Sequence, residues 1–268
     1  GYALEPATKN RLGGIIVGDG FTITAAGLLS VDPNSFSADL ITELMKQLRL
    51  PQWLSSNKTF YVRPDGNDNN DGSANTATKA FKTIQAAVNY VSANFNVVNY
   101  VATIQVSAGT YTERVALPKY QSSTGNMRLY GDSKDTTIVI GCINSTASSG
   151  TWNIQDFTVK SDGQPGPGSS FNTSLLVVND SASLNATNVK LLGDIQPVSE
   201  GGTTAGISVT GGTWVIGLVD IILADVAKGR SFISAATGGY VRMTQDCVLT
   251  GIQNNNTVLA TDGSKFVR

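Results

Sequence analysis

The chain has 268 residues, 41% hydrophobic but only 15% charged, with 28 glycines, no histidine and a net charge of −1. That length holds one large domain or two unequal ones, and that charge attracts neither nucleic acid nor anionic lipid. Without histidine there is no Ser-His-Asp or Cys-His site and no His-ligated metal within the chain, and no apolar run approaches the ~20 residues of a membrane span. The two cysteines, Cys142 and Cys247, define no disulfide framework and read as buried thiols.

Residues 1–32 alternate short strands with glycine turns at Gly13-Gly14, Gly18-Asp19-Gly20 and Gly27. So few apolar side chains cannot bury a core unaided, which predicts assembly with copies of the segment or with a partner. A phosphate-loop reading of the Gly18 region fails, because no GK[ST] follows and no helix begins there. No secretory signal is legible, and the start at Gly1 instead of Met fits a trimmed start or a tag scar.

Residues 33–58 read as a helical connector. Phe36, Leu40, Ile41, Leu44, Met45 and Leu48 form one apolar face, and Pro51 ends the run. Ile41, Leu44 and Leu48 have the spacing of a coiled-coil seam at which three chains could meet; docking on the chain's own following domain is the other reading.

From Thr59 the pattern changes. Phe60-Tyr61-Val62 is a short strand, Asp65 to Gly72 a polar loop, and Phe81, Ile84, Val88, Val91 and Phe95 the apolar stripe of a helix. Asn67, Asn69, Asp71 and Gly72 fit half of a calcium loop, but Thr78 stands where the closing acid belongs, so no metal or cofactor is expected. Further on, Asp156, Asn188, Asp220 and Asp246 each precede an apolar strand residue at steps of 32, 32 and 26. Leu175, Ile207 and Ile233 lie thirteen residues upstream of the last three. Such steps fit one solenoid coil per repeat. Residues 161–173 read as a loop protruding between coils. The repeat runs to Arg268, which predicts a chain that stops in mid-coil, as a fragment of a longer protein or with a partner over that end.

Two resemblances carry these patterns further. Thr59 to Ala87, with Thr103 to Glu113 (TIQVSAGTYTE), resembles the opening of the pectin-lyase-like right-handed parallel β-helix family. The resemblance implies an all-β fold over 59–268, with an N-terminal cap at 59–95 and stacked coils over 97–268, and it implies a turn for the loop from Asp65 to Gly72. Ala7-Thr8, Leu12-Gly13-Gly14, Val17-Gly18-Asp19-Gly20 and Leu29-Ser30-Val31 resemble a module of bacteriophage tail fibres and tailspikes, departing from it at Glu5. That implies a homotrimer in the virion tail, an attachment or shaft role for residues 1–32, phage tail or baseplate proteins as N-terminal partners, and a bacterial surface polysaccharide as the target of the β-helix.

Two candidate sites follow. If Asp220 and Asp246 occupy neighbouring coils, about 4.8 Å apart, they approach the separation of a retaining glycosidase pair and suit a polysaccharide depolymerase. The other reading of the Asp/Asn positions is a ladder of turns. Trp214, Tyr240 and Phe266 also align at a 26-residue step, with Arg242 and Arg268 aligned two positions on. Alternation puts Tyr240 and Arg242 outside, as a sugar-binding surface or as a seam between subunits. The favoured expectation is a tail-fibre fragment linking the virion to glycan recognition. The alternatives are an active depolymerase, by hydrolysis or elimination, and a secreted bacterial β-helix unrelated to phage.

Overall fold

The computed structural model describes residues 51–120 without a break. Beyond them it describes 124–146, 150–162, 174–179, 182–193, 204–211, 213–216, 219–223, 230–243, 249–251, 258–260 and 265–267, and before them 21–23 and 29–31. The chain divides into two units, Gly1–Gln52 and Trp53–Arg268. In the first, β1 (Phe21–Ile23) and β2 (Leu29–Val31) form an antiparallel pair with Phe21 opposite Val31. The connector helix expected between residues 33 and 58 has its apolar stripe, Phe36 to Leu48, outside the described residues. A two-residue strand, β3 (Gln52–Trp53), closes that stretch.

The second unit opens with β4 (Lys58–Val62), helix α1 (Ile84–Asn94) and β5 (Phe95–Asn96). Coils follow. The first holds β6 (Val101–Val106) and β7 (Gly109–Leu117), and the second β8 (Asn126–Gly131) and β9 (Thr137–Thr146). The third holds β10 (Thr151–Lys160) and β11 (Leu176–Asn179), and the fourth β12 (Ser183–Gly193) and β13 (Thr204–Thr210). The fifth holds β14 (Thr213–Ile216), β15 (Val219–Leu223) and β16 (Arg230–Ala236). The sixth holds β17 (Tyr240–Met243), β18 (Leu249–Gly251) and β19 (Val258–Ala260), and β20 (Lys265–Val267) begins the next.

Each strand pairs in parallel with its counterparts one coil away, so the strands stack into three sheets of a parallel β-helix. Sheet A takes β4, β6, β8, the first halves of β10 and β12, then β14, β17 and β20. Sheet B takes the first halves of β7 and β9, the second halves of β10 and β12, then β15 and β18. Sheet C takes the second halves of β7 and β9, then β11, β13, β16 and β19. The expected step of 32 holds between Gln155 and Thr187, and the step of 26 between Ile207 and Ile233. Ile207 stacks on Leu176, however, and not on the anticipated Leu175.

Strand alternation fills the interior. One inward column runs Ala102, Met127, Trp152 and Leu184, all buried, and its register continues through Trp214 and Val241 to Phe266. Trp152 keeps its indole N–H satisfied by the Pro118 carbonyl at 2.9 Å and meets Tyr120 edge-on. The bends need special backbone. Asp156 and Asn188 turn the chain from sheet A to sheet B at φ 62° and 52°, a left-handed conformation that short polar side chains tolerate. Gly141 (φ 146°) lies at the next bend, where a Cβ would meet the Glu113 carbonyl at 2.2 Å.

Helix α1 covers the first coil, and each sequence feature of the 59–95 stretch has a task in that cap. Phe81, Ile84, Ala87, Val88, Val91 and Phe95 are buried. Thr83 is the N-cap, its hydroxyl accepting from the Ala86 N–H. Asp68 accepts from the Lys82 and Thr83 N–H groups at 2.8 Å. Glu113, reaching from β7, accepts from Ile84 and Gln85 N–H at 2.9 and 2.8 Å. Carboxylates are favoured here by the orphan donors and the helix dipole. The Gln85 amide accepts from Ala116 N–H (2.6 Å) and donates to its C=O (3.1 Å), standing in for a neighbouring strand on β7. The polar loop is a turn: Asn67 accepts from Asn69 N–H, Asp71 from Ser73 N–H, and Asn70 donates to the Ala80 carbonyl.

Candidate functional site

The outer face of sheet A is a polar surface made by the same alternation that builds the core. Two outward columns cross its first strands. One runs Tyr61, Gln105, Tyr130, Gln155 and Thr187; the other runs Thr103, Arg128, Asn153 and Asn185. Successive members lie about one strand spacing apart, ~4.8 Å. The second column continues in register through Val215 to Arg242 and Val267, and a third runs Ser183, Thr213, Tyr240 and Lys265. The chain carries 20 acidic residues, yet among the described residues no outward register position of sheet A is Asp or Glu. Arg128, Arg242 and Lys265 are its charged residues.

The tyrosines of this face differ from those of the interior. Tyr111 donates its hydroxyl proton to the Ser107 carbonyl and Tyr120 to the Thr151 carbonyl, at 2.9 and 2.5 Å. Burial raises the pKa of both phenols. The half-buried Tyr61 and Tyr130 have no hydrogen bond on their hydroxyls among the described residues. The glutamines between them are oriented: Gln105 donates to Asp132 (3.4 Å) and Gln155 to Asp156 (2.8 Å), leaving each amide oxygen as an acceptor. Arg128 lies over the Tyr130 ring at 5.7 Å and donates its Nε–H to Asn126. Its terminal N–H groups are unengaged among the described residues.

The structure redistributes the residues singled out from the sequence. Tyr240 is half-buried and Arg242 exposed, with Val241 between them buried, so the outward placement of that pair is as expected. The aromatic alignment is not. Trp214 pairs with Val241 and Val241 with Phe266, while Tyr240 pairs with Thr213 and Lys265. Tyr240 and Trp214 therefore occupy different register columns of sheet A, one residue apart, and Arg242 is followed in its column by Val267, not Arg268. The single 26-residue step fails because the coils differ in length.

The Asp/Asn ladder breaks for the same reason. Asp156 and Asn188 do stack, the Asn188 amide donating to the Asp156 carboxylate while Gln155 donates to its other oxygen. Both occupy left-handed backbone, so this is the ladder of turns. Asp220 is not its next member. It pairs with Lys190, two positions beyond Asn188. Ile221 pairs with Leu249, 28 residues on, so the 26-residue step to Asp246 is not the step of that sheet; Asp246 itself lies outside the described residues.

A second polar group was not foreseen. Arg114 grips Asp162 through two hydrogen bonds of 2.7 Å, tying β7 to the start of the anticipated loop; residues 163–173 lie outside the described residues. Cys142, in register with Arg114, is buried, and burial pushes its thiol up to about 11. It is an inert thiol, as expected for a buried cysteine. Cys247 lies outside the described residues.

Residues 71–167 match the Pectinesterase family. Pectinesterase 3 of Phaseolus vulgaris is 30% identical over 118 residues, 43% of this chain and 19% of that protein. The chain thus spans about a fifth of the length of the curated relative it matches. No solved structure matches. The family match begins in the polar loop and ends past β10, so it covers the capping helix and the first coils of the parallel β-helix, an arrangement consistent with the pectin-lyase-like fold.

Proposed function

We propose that the chain is a glycan-recognising part of a bacteriophage tail fibre or tailspike, with its N-terminal module set in the virion tail and its β-helix presenting sheet A to a bacterial surface polysaccharide. The observation that carries the recognition role is the outer face of sheet A, where the Tyr61 and Tyr130 hydroxyls and the terminal Arg128 N–H groups have no partner among the described residues, and where Gln105 and Gln155 are held by Asp132 and Asp156 at the corner of the sheet. The matched family and relative are named for pectin, a polysaccharide, which supports a carbohydrate ligand. The phage assignment rests on the Leu12-Gly13-Gly14 and Val17 to Gly20 module, and the homotrimer on that module's poverty in apolar residues and on the connector stripe.

The second reading, an active depolymerase, is favoured by the same family match. Its pair Asp220 and Asp246 is 26 residues apart, whereas the step described for that sheet is 28, between Ile221 and Leu249.

The test is retention of the full chain on a panel of immobilised bacterial capsular polysaccharides and lipopolysaccharides, with its mass measured by light scattering. Binding to at least one glycan by a particle of about three times 28.1 kDa is the expected result. Failure to bind every member overturns the recognition role, and a monomer overturns the fibre assignment.

A further inference from the structure

The aromatic side chains of the cap cover one another, with one exception. Phe60, Phe81, Tyr90 and Phe95 pack ring against ring, and the Lys58 ammonium lies over Phe60 and Phe95 at 5.1 and 4.6 Å. Trp53 on β3 is 71% exposed, and its side chain makes no ring contact and no hydrogen bond among the described residues. The next residue, Leu54, is buried, so strand alternation turns Trp53 outward. β3 pairs with β5 alone in a two-stranded sheet, which leaves its other edge unpaired among the described residues.

A lone exposed apolar side chain is ordinary; the place of this one in the chain is not. Trp53 opens the β-helical unit, directly after the unit Gly1–Gln52, whose sequence is too poor in apolar residues to bury a core without copies of itself. Leu48, a residue of the expected three-chain seam, precedes Trp53 by five residues, a reach of at most about 18 Å. Three chains joined at that seam deliver three Trp53 side chains to one neighbourhood. The stretch from Leu50 to Asn57, LPQWLSSN, carries no charge, so copies meet there without setting like charges together. Tryptophan is also the side chain most suited to the centre of such a contact, with a large rigid apolar surface and a single N–H.

We propose that Trp53 is a contact between copies of this chain: in the homotrimer the three Trp53 side chains meet about the common axis and bury one another at the start of the β-helical unit. The proposal rests on the homotrimer reading above and adds to it a residue that holds the copies together outside residues 1–52.

The full-length chain is compared with its Trp53→Ala and Trp53→Cys variants. Light scattering over a dilution series gives the concentration at which the trimer half-dissociates. Trp53→Ala raises that concentration about 30-fold or more, the effect of removing a buried tryptophan anchor, with an unchanged far-ultraviolet circular dichroism spectrum. Trp53→Cys treated with a flexible bis-maleimide gives covalent dimers on a denaturing gel, whereas Lys160→Cys, at an exposed outward position of sheet B, gives only the wild-type background. A wild-type trimer that Trp53→Ala holds to the same dilution, or that Trp53→Cys fails to cross-link, overturns the contact and leaves the homotrimer standing. A wild-type monomer overturns both, so the two failures are separable. An unweakened Trp53→Ala trimer that has lost glycan retention overturns the contact as well and assigns the ring to the ligand.

Discussion

The capped end and the outer face of sheet A are built from the same kinds of residue and use them in opposite ways. At the cap, Asp68, Gln85 and Glu113 direct every hydrogen bond described for them at the chain's own backbone and at the Thr83 and Asn89 side chains. They close a helix N-terminus and the edge of β7. On sheet A, two glutamines are steadied by neighbouring carboxylates, and two tyrosines and an arginine keep donors in reserve. Polarity alone therefore does not mark a site in this molecule. What distinguishes the two regions is whether hydrogen-bonding capacity is engaged internally, and the carboxylates fall on the structural side.

The comparison breaks most visibly if the cap proves dispensable. Glu113→Ala leaves two helix N–H groups without their charged acceptor and is expected to cost about 2–3 kcal/mol, read from urea denaturation, while glycan retention by the remaining folded protein is unchanged. A variant as stable as wild type would show that the GTYTE glutamate is not what anchors the helix. The same residue predicts a pH dependence. Burial raises the Glu113 pKa, against the Gln85 and Ile84 N–H groups that lower it. A raised folded-state pKa means that the associated stability is fully present below the ordinary glutamate value and is lost as pH rises through the raised one. The stability gap between wild type and Glu113→Gln should accordingly be larger at pH 4 than at pH 7. A gap that widens on raising the pH would reverse the assignment.

Tyrosine sharpens the contrast at smaller magnitude. Tyr111→Phe removes the hydrogen bond to the half-buried Ser107 carbonyl and should cost about 1 kcal/mol. Tyr61→Phe and Tyr130→Phe should each stay within about 0.5 kcal/mol of wild type, since their hydroxyls bond nothing described. Similar losses at all three positions would mean that the outer hydroxyls are structural, and the functional distinction between the regions would fall.

The cap was legible in the sequence because its elements are local. Phe81, Ile84, Val88 and Val91 announce a helix face by spacing alone, and the turn of Asn67, Asn70 and Asp71 closes within a few residues. Coil stacking was legible in part. Asp156 and Asn188 sit at equivalent bends and share a step, but a step carried over from one coil to the next accumulates error whenever a loop is shorter. It missed Trp214 against Tyr240 by one residue and Asp220 against Asn188 by two. In a parallel sheet a one-residue slip exchanges inside for outside, which is why the aromatic column was misread. The Tyr61–Gln105–Tyr130–Gln155 column was overlooked for a different reason. Its members come from four coils and share no short motif, so only the register assembles them. The available signal was the alternation within each strand, where Thr59 and Tyr61, Thr103 and Gln105, and Arg128 and Tyr130 all face away from apolar neighbours.

The smallest expected effect concerns Asp220, the residue on which an enzymatic reading would lean. Its register partner is Lys190, and opposite charges at adjacent positions of a sheet column stabilise it by a fraction of a kcal/mol when solvated. Asp220→Asn should therefore shift the denaturation midpoint by the equivalent of about 0.5 kcal/mol or less, with the effect vanishing in high salt, and should leave glycan retention unaltered. Polysaccharide cleavage by the wild-type chain that disappears in Asp220→Asn, with the fold intact, would move a carboxylate from the structural side of the comparison to the functional one. It would make sheet B, and not sheet A, the face on which chemistry is carried.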